Sequence, residues 1–107
     1  MKRLLIGVAL LASGCAKLPD DIQASAVAAD PYMAMSCEQL VAENARSSAE
    51  LATASEAQTR AAQQDQAAMA VLHVPVASMR GKDQEETIAR LKGENAAIVQ
   101  ARQAKGC

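Results

Sequence analysis

Residues 36–70 read SCEQLVAENARSSAELATASEAQTRAAQQDQAAMA, a run with no glycine or proline in which nearly every residue favours helix. Its opening carries a local start signal. Ser36 can cap a helix, Gln39 stands three residues on to complete a capping box, and Met35 and Leu40 are placed for a hydrophobic staple. A long helix is therefore expected from Ser36 to about Ala70. Its apolar stripe through Leu40, Val41, Ala45, Leu51 and Ala52 is weak, because Asn44, Ser48, Gln58 and Asp65 fall on or beside it.

Outward from this helix, residues 69–79 (MAVLHVPVASM) form the most apolar stretch after the leader, and Pro75 with Gly81 stops a helix from running through it. A bend is expected at 71–82. Val71, Leu72, Val74, Val76 and Met79 are its candidate contact surface for lipid or a partner. The competing reading is a small cap packed over the helix ends, the commoner fate of a short apolar run in a small protein. A second helix is expected from Asp83, with Glu86 three residues on, and carries Ile88, Leu91, Asn95, Ile98 and Val99 before closing near Lys105 and Gly106. Acids at its start (Asp83, Glu85, Glu86) and bases at its end (Arg102, Lys105) suit the helix dipole. Antiparallel pairing brings Cys37 toward Cys107, and Glu38 and Glu43 toward Arg102 and Lys105. Gly93 interrupts this helix at a cost of about 1 kcal/mol unless a close contact uses its missing side chain.

A chain of 107 residues is at most one small domain, and its interior is thin. Half of the residues are hydrophobic, yet Tyr32 is the sole aromatic, and alanine, which buries little area, is the largest contributor to that fraction. The 11 basic and 12 acidic residues give a net charge of −1, which argues against a nucleic-acid partner.

Residues 1–14 follow a different grammar. Lys2 and Arg3 precede the apolar run Leu4-Leu5-Ile6-Gly7-Val8-Ala9-Leu10-Leu11, and Ala12-Ser13-Gly14 stand directly before Cys15. A charged start, an apolar middle and small residues at a cut site make a secretory leader. The run is shorter than the roughly 20 residues that a membrane-spanning helix needs. These residues resemble the lipobox of bacterial lipoproteins, with Ala12 where leucine is commonest. The resemblance implies cleavage before Cys15, a diacylglyceryl thioether on its sulfur, and an acylated amine. Ala16, in place of the aspartate that marks inner-membrane retention, implies the periplasmic face of the outer membrane. Acyl chains of the palmitate type, at about 0.8 kcal/mol per buried methylene, hold a protein on a membrane stably when two or more are present. Cleavage removes Lys2 and Arg3, so 9 basic residues face 12 acidic ones and the mature charge is −3.

With Cys15 lipidated, Cys37 and Cys107 remain in an oxidising compartment, and an intramolecular disulfide is the economical pairing. Two free thiols, a soft metal site and bridges between chains are its rivals. A bridge closing so long a loop stabilises by about 4 kcal/mol, a large share for a thin core. Residues 15–35, small and polar with Pro19 and Pro31 and without periodicity, read as a flexible tether reaching on the order of 25 Å. The domain organisation expected is leader 1–14, lipidated tether 15–35 and helical hairpin 36–107, in an all-α fold closed by a disulfide.

Ser36-Cys37-Glu38-Gln39-Leu40 with Glu43 and Arg46, Ala89-Arg90-Leu91-Lys92-Gly93-Glu94, and Lys105-Gly106-Cys107 resemble blocks in a set of small uncharacterised lipoproteins of alphaproteobacteria. That resemblance supports the paired cysteines and implies no activity. Members carry a glycine-rich, aromatic-containing apolar stretch where this chain has only residues 71–79.

Catalytic chemistry is not expected. One histidine, His73, lies in the apolar bend without a nearby acid, and the carboxylates are spread along helices in pairs such as Glu56 with Arg60 and Glu86 with Arg90. No phosphate loop or paired-histidine spacing is present. Met33, Met35 and Cys37 alternate, and in an extended segment their sulfurs would suit Cu(I), a reading that competes with the staple and the disulfide. The expectation is a lipid-anchored structural or interaction protein of the cell envelope with no cofactor, metal, nucleic acid or small-molecule substrate. A regulatory or inhibitory lipoprotein that grips an envelope protein through the bend is the alternative. A trimeric coiled-coil spacer fits less well, since the first helix lacks a sustained heptad and Pro75 interrupts the chain.

Overall fold

The computed structural model describes residues 15–107, so the leader reading for 1–14 lies outside the described residues. Ser36 caps the long helix as its sequence dictates. Its Oγ accepts from the Gln39 N–H at 3.1 Å, and the Gln39 side chain accepts from the Ser36 N–H at 2.8 Å. The elements in chain order are a 3-10 turn at Pro19–Asp21, then α1 (Asp30–Met33), α2 (Cys37–Val71), α3 (Val76–Met79) and α4 (Glu85–Lys105). Gly106 ends α4 with φ 77°, the left-handed conformation glycine adopts without steric cost. Asp83 starts α4 by accepting from the Glu85 N–H at 3.0 Å.

Helices α2 and α4 pack antiparallel, and the Cys37–Cys107 disulfide joins their far ends with 5.8 Å between Cα atoms. The hairpin and its covalent clasp are thus as expected. At 1.5 Å per residue α2 is roughly 52 Å long and α4 roughly 31 Å. The buried face of α2 passes through Leu40, Ser47, Ala54, Gln58, Ala61 and Asp65, and half-buried Asn44 and Leu51 complete alternating steps of four and three. A sustained seam therefore exists, filled by small and polar residues instead of large apolar ones. Opposite it stand Ile88, Leu91 and Ile98, all at most 1% exposed.

Residues 15–35 are not a free tether. They form a strap that runs from the bend to the disulfide end, alongside α4. Ile22 is buried with Ala54, Ile88 and Leu91, and Tyr32 and Met35 pack on Leu40, Ile98 and Ala101. The Lys92 ammonium donates to the Pro19 and Ile22 carbonyls at 2.6 and 2.7 Å, the Ser25 N–H donates to the Ala89 carbonyl at 2.9 Å, and the Lys105 ammonium reaches the Met33 carbonyl at 3.1 Å. Apart from Ile22, Tyr32 and Met35 the strap is held through its backbone, which is why its side chains show no period.

Gly93 is the crossing point. A Cβ built on it would lie 2.2 Å from the Ser25 carbonyl oxygen and 2.8 Å from Val27 Cγ2. The missing side chain is thus used by the strap.

The ion pairs differ from those expected. Arg46 lies between Glu43 and Glu50, Arg90 pairs forward with Glu94 at 2.8 Å and not back to Glu86, and Lys17 meets Glu85 at 3.1 Å. Glu43 thus serves its own helix and leaves Lys105 to the strap. The Lys17 and Arg46 contacts sit largely in solvent, where such pairs contribute little, while the Glu94 side chain is mostly covered.

Candidate functional site

The polar residues that interrupt the α2 seam build the bend end of the molecule. Asp65 is fully buried. Its Oδ1 accepts from the Ala77 and Ser78 N–H groups at 2.7 and 3.1 Å, and its Oδ2 accepts from the Ser78 hydroxyl at 2.5 Å and the Ala16 N–H at 2.8 Å. One carboxylate therefore caps the first turn of α3 and fixes the residue directly after Cys15. Burial pushes this carboxyl up; the Ser78 hydroxyl and the N–H groups of Ala16, Ser78 and Ala77 outweigh burial and hold it below its ordinary 3.8.

Two turns earlier on α2, Gln58 does the equivalent for the start of α4. Its Nε2 donates to the Lys17 carbonyl at 2.8 Å and to Asp83 Oδ1 at 3.0 Å, and its Oε1 accepts from the Gln84 N–H at 2.6 Å. Sequence reading treated both residues as blemishes. The only signal available was their place on the seam, where a polar residue must find buried partners or be excluded.

Beyond Asp65, α2 continues about 9 Å to Val71 at 1.5 Å per residue. Leu72 closes it, and His73 turns the chain back at φ 63°, with its N–H on the Ala68 and Met69 carbonyls. Histidine tolerates this left-handed conformation better than most side chains, and here it serves as the helix stop. The apolar bend does not close over the helix ends. Val71, Leu72 and Met79 are 75%, 60% and 70% exposed, Val74 is exposed, Val76 is half-buried, and Ala77 alone packs inward against Ala16, Ala61 and Ala62. The cap reading is therefore replaced by a protruding apolar tip. Cys15, half-exposed and outside the disulfide, stands at this same end.

An open groove of about 960 Å³ lies at the start of α4, lined by Ser25, Asp83, Glu85, Glu86, Thr87, Ala89 and Arg90. Most of its charges are already committed: Asp83 to Gln58 and the α4 start, Glu85 to Lys17, Arg90 to Glu94. Among the described residues no three His, Cys, Asp or Glu side chains are grouped to hold a metal ion. The sulfur alternation proposed for Cu(I) is lost, because Met33 ends a helical turn, Met35 packs on the Leu40 cluster and the Cys37 sulfur is bonded to Cys107. No described helix is long and apolar enough to cross a membrane. The chain matches no protein-family model, no curated protein and no solved structure.

Proposed function

We propose that this chain is a non-catalytic, lipid-anchored protein of the bacterial cell envelope, cut before Cys15, acylated there, and held at the periplasmic face of the outer membrane. The observation that carries the reading is the lipobox-like segment Leu4 to Gly14 directly before Cys15, in a chain whose other two cysteines bond to each other and leave Cys15 alone. The division of sulfur suits an oxidising compartment. The fold starts one residue after the cut, at buried Ala16, so the anchor and the folded body meet without slack. The α2 seam is occupied by α4 and the strap of the same chain, which supports a self-contained hairpin over a coiled-coil trimer.

The role that follows is structural or interactive: a braced rod presented at a membrane surface. The exposed tip also favours a second reading, a regulatory or inhibitory lipoprotein that engages one envelope protein through Val71, Leu72 and Met79. Intact-mass measurement of the product isolated from membranes tests the anchor. The expected mass is that of residues 15–107 with a diacylglyceryl group replacing the thiol hydrogen of Cys15 and an acyl group replacing one hydrogen of its amine, and the Cys15→Ser variant should accumulate uncut. A mature product with an unmodified Cys15 thiol would overturn the proposal.

A further inference from the structure

The position of Cys15 relative to the bend says where the membrane must lie. Ala16 N–H and Ser78 Oγ donate to the same oxygen of Asp65, so the peptide that follows the anchoring residue shares one carboxylate oxygen with the residue that precedes Met79. With residues 15–35 clasped along α4, the acyl chains cannot wander to the disulfide end. They emerge beside the tip.

That tip is apolar and basic. Residues 66–82 contain Arg80 and Lys82, both exposed, and no carboxylate, while Val71, Leu72, Val74 and Met79 present their side chains to the outside. An exposed apolar cluster rimmed by cations matches the boundary between acyl chains and anionic phosphate headgroups. We infer that Val71, Leu72, Val74 and Met79 seat in the bilayer leaflet that holds the acyl chains on Cys15, with Arg80 and Lys82 at its phosphates. The hairpin then stands on the membrane by its bend, and the Cys37–Cys107 end projects away by the length of α2, roughly 52 Å at 1.5 Å per residue. The tip needs little affinity of its own, because an anchor with no slack keeps it at high effective concentration at the surface.

This inference rests on lipidation of Cys15 as proposed above. The chain contains no tryptophan, so a single introduced one reports its own surroundings. Leu72→Trp and Met79→Trp place the probe at the tip, and Val41→Trp places it on an exposed position of α2 near the disulfide. Each full-length processed variant, with its lipid verified by intact mass and its helix content by circular dichroism, is reconstituted in phosphatidylethanolamine and phosphatidylglycerol vesicles with brominated acyl chains. Both tip variants should emit farther to the blue and lose most of their emission to the bromines, whereas Val41→Trp keeps its emission. Full emission from both tip variants in a protein carrying its lipid overturns the inference, leaves the anchor standing, and assigns the tip to a protein partner. Equal quenching of all three means that the rod lies flat, and also overturns it. An unmodified Cys15 in the mass spectrum overturns the anchor and this inference together.

Discussion

Replacing Asp65 by asparagine should loosen the whole bend end. The isosteric amide cannot accept on both sides. If its NH₂ takes the place of Oδ2, the Ser78 hydroxyl can reverse and accept, but the Ala16 N–H is left facing a donor; if it takes the place of Oδ1, the Ala77 and Ser78 N–H groups are orphaned instead. The first arrangement is cheaper. One buried orphan donor costs about 1–3 kcal/mol, the loss of charge assistance in the two bonds that remain adds about 1 kcal/mol, and relief from burying a charge offsets part of this. A net loss of about 2–3 kcal/mol follows for Asp65→Asn. Asp65→Ala, which orphans all three N–H groups and leaves a void, should lose about 3–5 kcal/mol. Urea unfolding of the oxidised protein at neutral pH, read by far-UV circular dichroism, gives these numbers.

The pH dependence supplies a second readout. Because the folded-state carboxyl lies below its ordinary 3.8, its contribution is fully present above that value and disappears as pH falls further through the folded pKa. The stability difference between the native chain and Asp65→Asn should therefore shrink in acid below pH 3.8, and not between there and neutrality. A loss under about 1 kcal/mol for Asp65→Asn, with Ala16 still protected from hydrogen exchange, would refute the carboxylate's role as the joint of strap and bend.

Gly93→Ala gains about 1 kcal/mol of helix propensity but drives a methyl into the Ser25 carbonyl, so a net destabilisation of about 1–2 kcal/mol and faster exchange of the Ser25 amide are expected. His73→Gly should stabilise by about 0.5–1 kcal/mol, since glycine takes the positive φ without strain; a loss of stability would show that the imidazole makes contacts that matter. Opening the Cys37–Cys107 bridge by reduction should lower the unfolding free energy by about 4 kcal/mol, and an unchanged urea midpoint would argue that the unfolded chain is already compact. Ser47→Ala removes a buried hydroxyl that has no partner and should be neutral or stabilising by up to about 1 kcal/mol in the same titration.

The parts legible in the sequence were those governed by local rules. The Ser36–Gln39 box, the glycine stop at Gly106 and the breakers Pro75 and Gly81 act within a few residues, so the two long helices and the bend could be read from spacing, and the cysteine count with antiparallel pairing pointed Cys37 at Cys107. The strap could not, because the polar groups it offers are its own backbone carbonyls and N–H groups, which every sequence possesses. Lys92, Gln58 and Asp65 hold them from some 40 to 73 positions away. The same blindness made the seam of α2 look defective. Alanine, serine, glutamine and aspartate score poorly as an apolar stripe, yet their small size and polar ends are what let a third layer lie against the helix. Composition foretold the thin core, and the structure supplements it with polar hubs and a covalent clasp.

The central claim is that the lipidated residue is bound to the bend end by an ordered strap. Hydrogen-exchange mass spectrometry of the processed protein in vesicles tests it in one experiment, because the N-terminal peptide reports both its covalent load and its amides. The account predicts that this peptide carries acyl chains on Cys15 and that the Ala16 and Ser25 amides exchange as slowly as those of α4. A peptide without lipid, or one whose amides exchange at the rate of an unstructured chain, would contradict it.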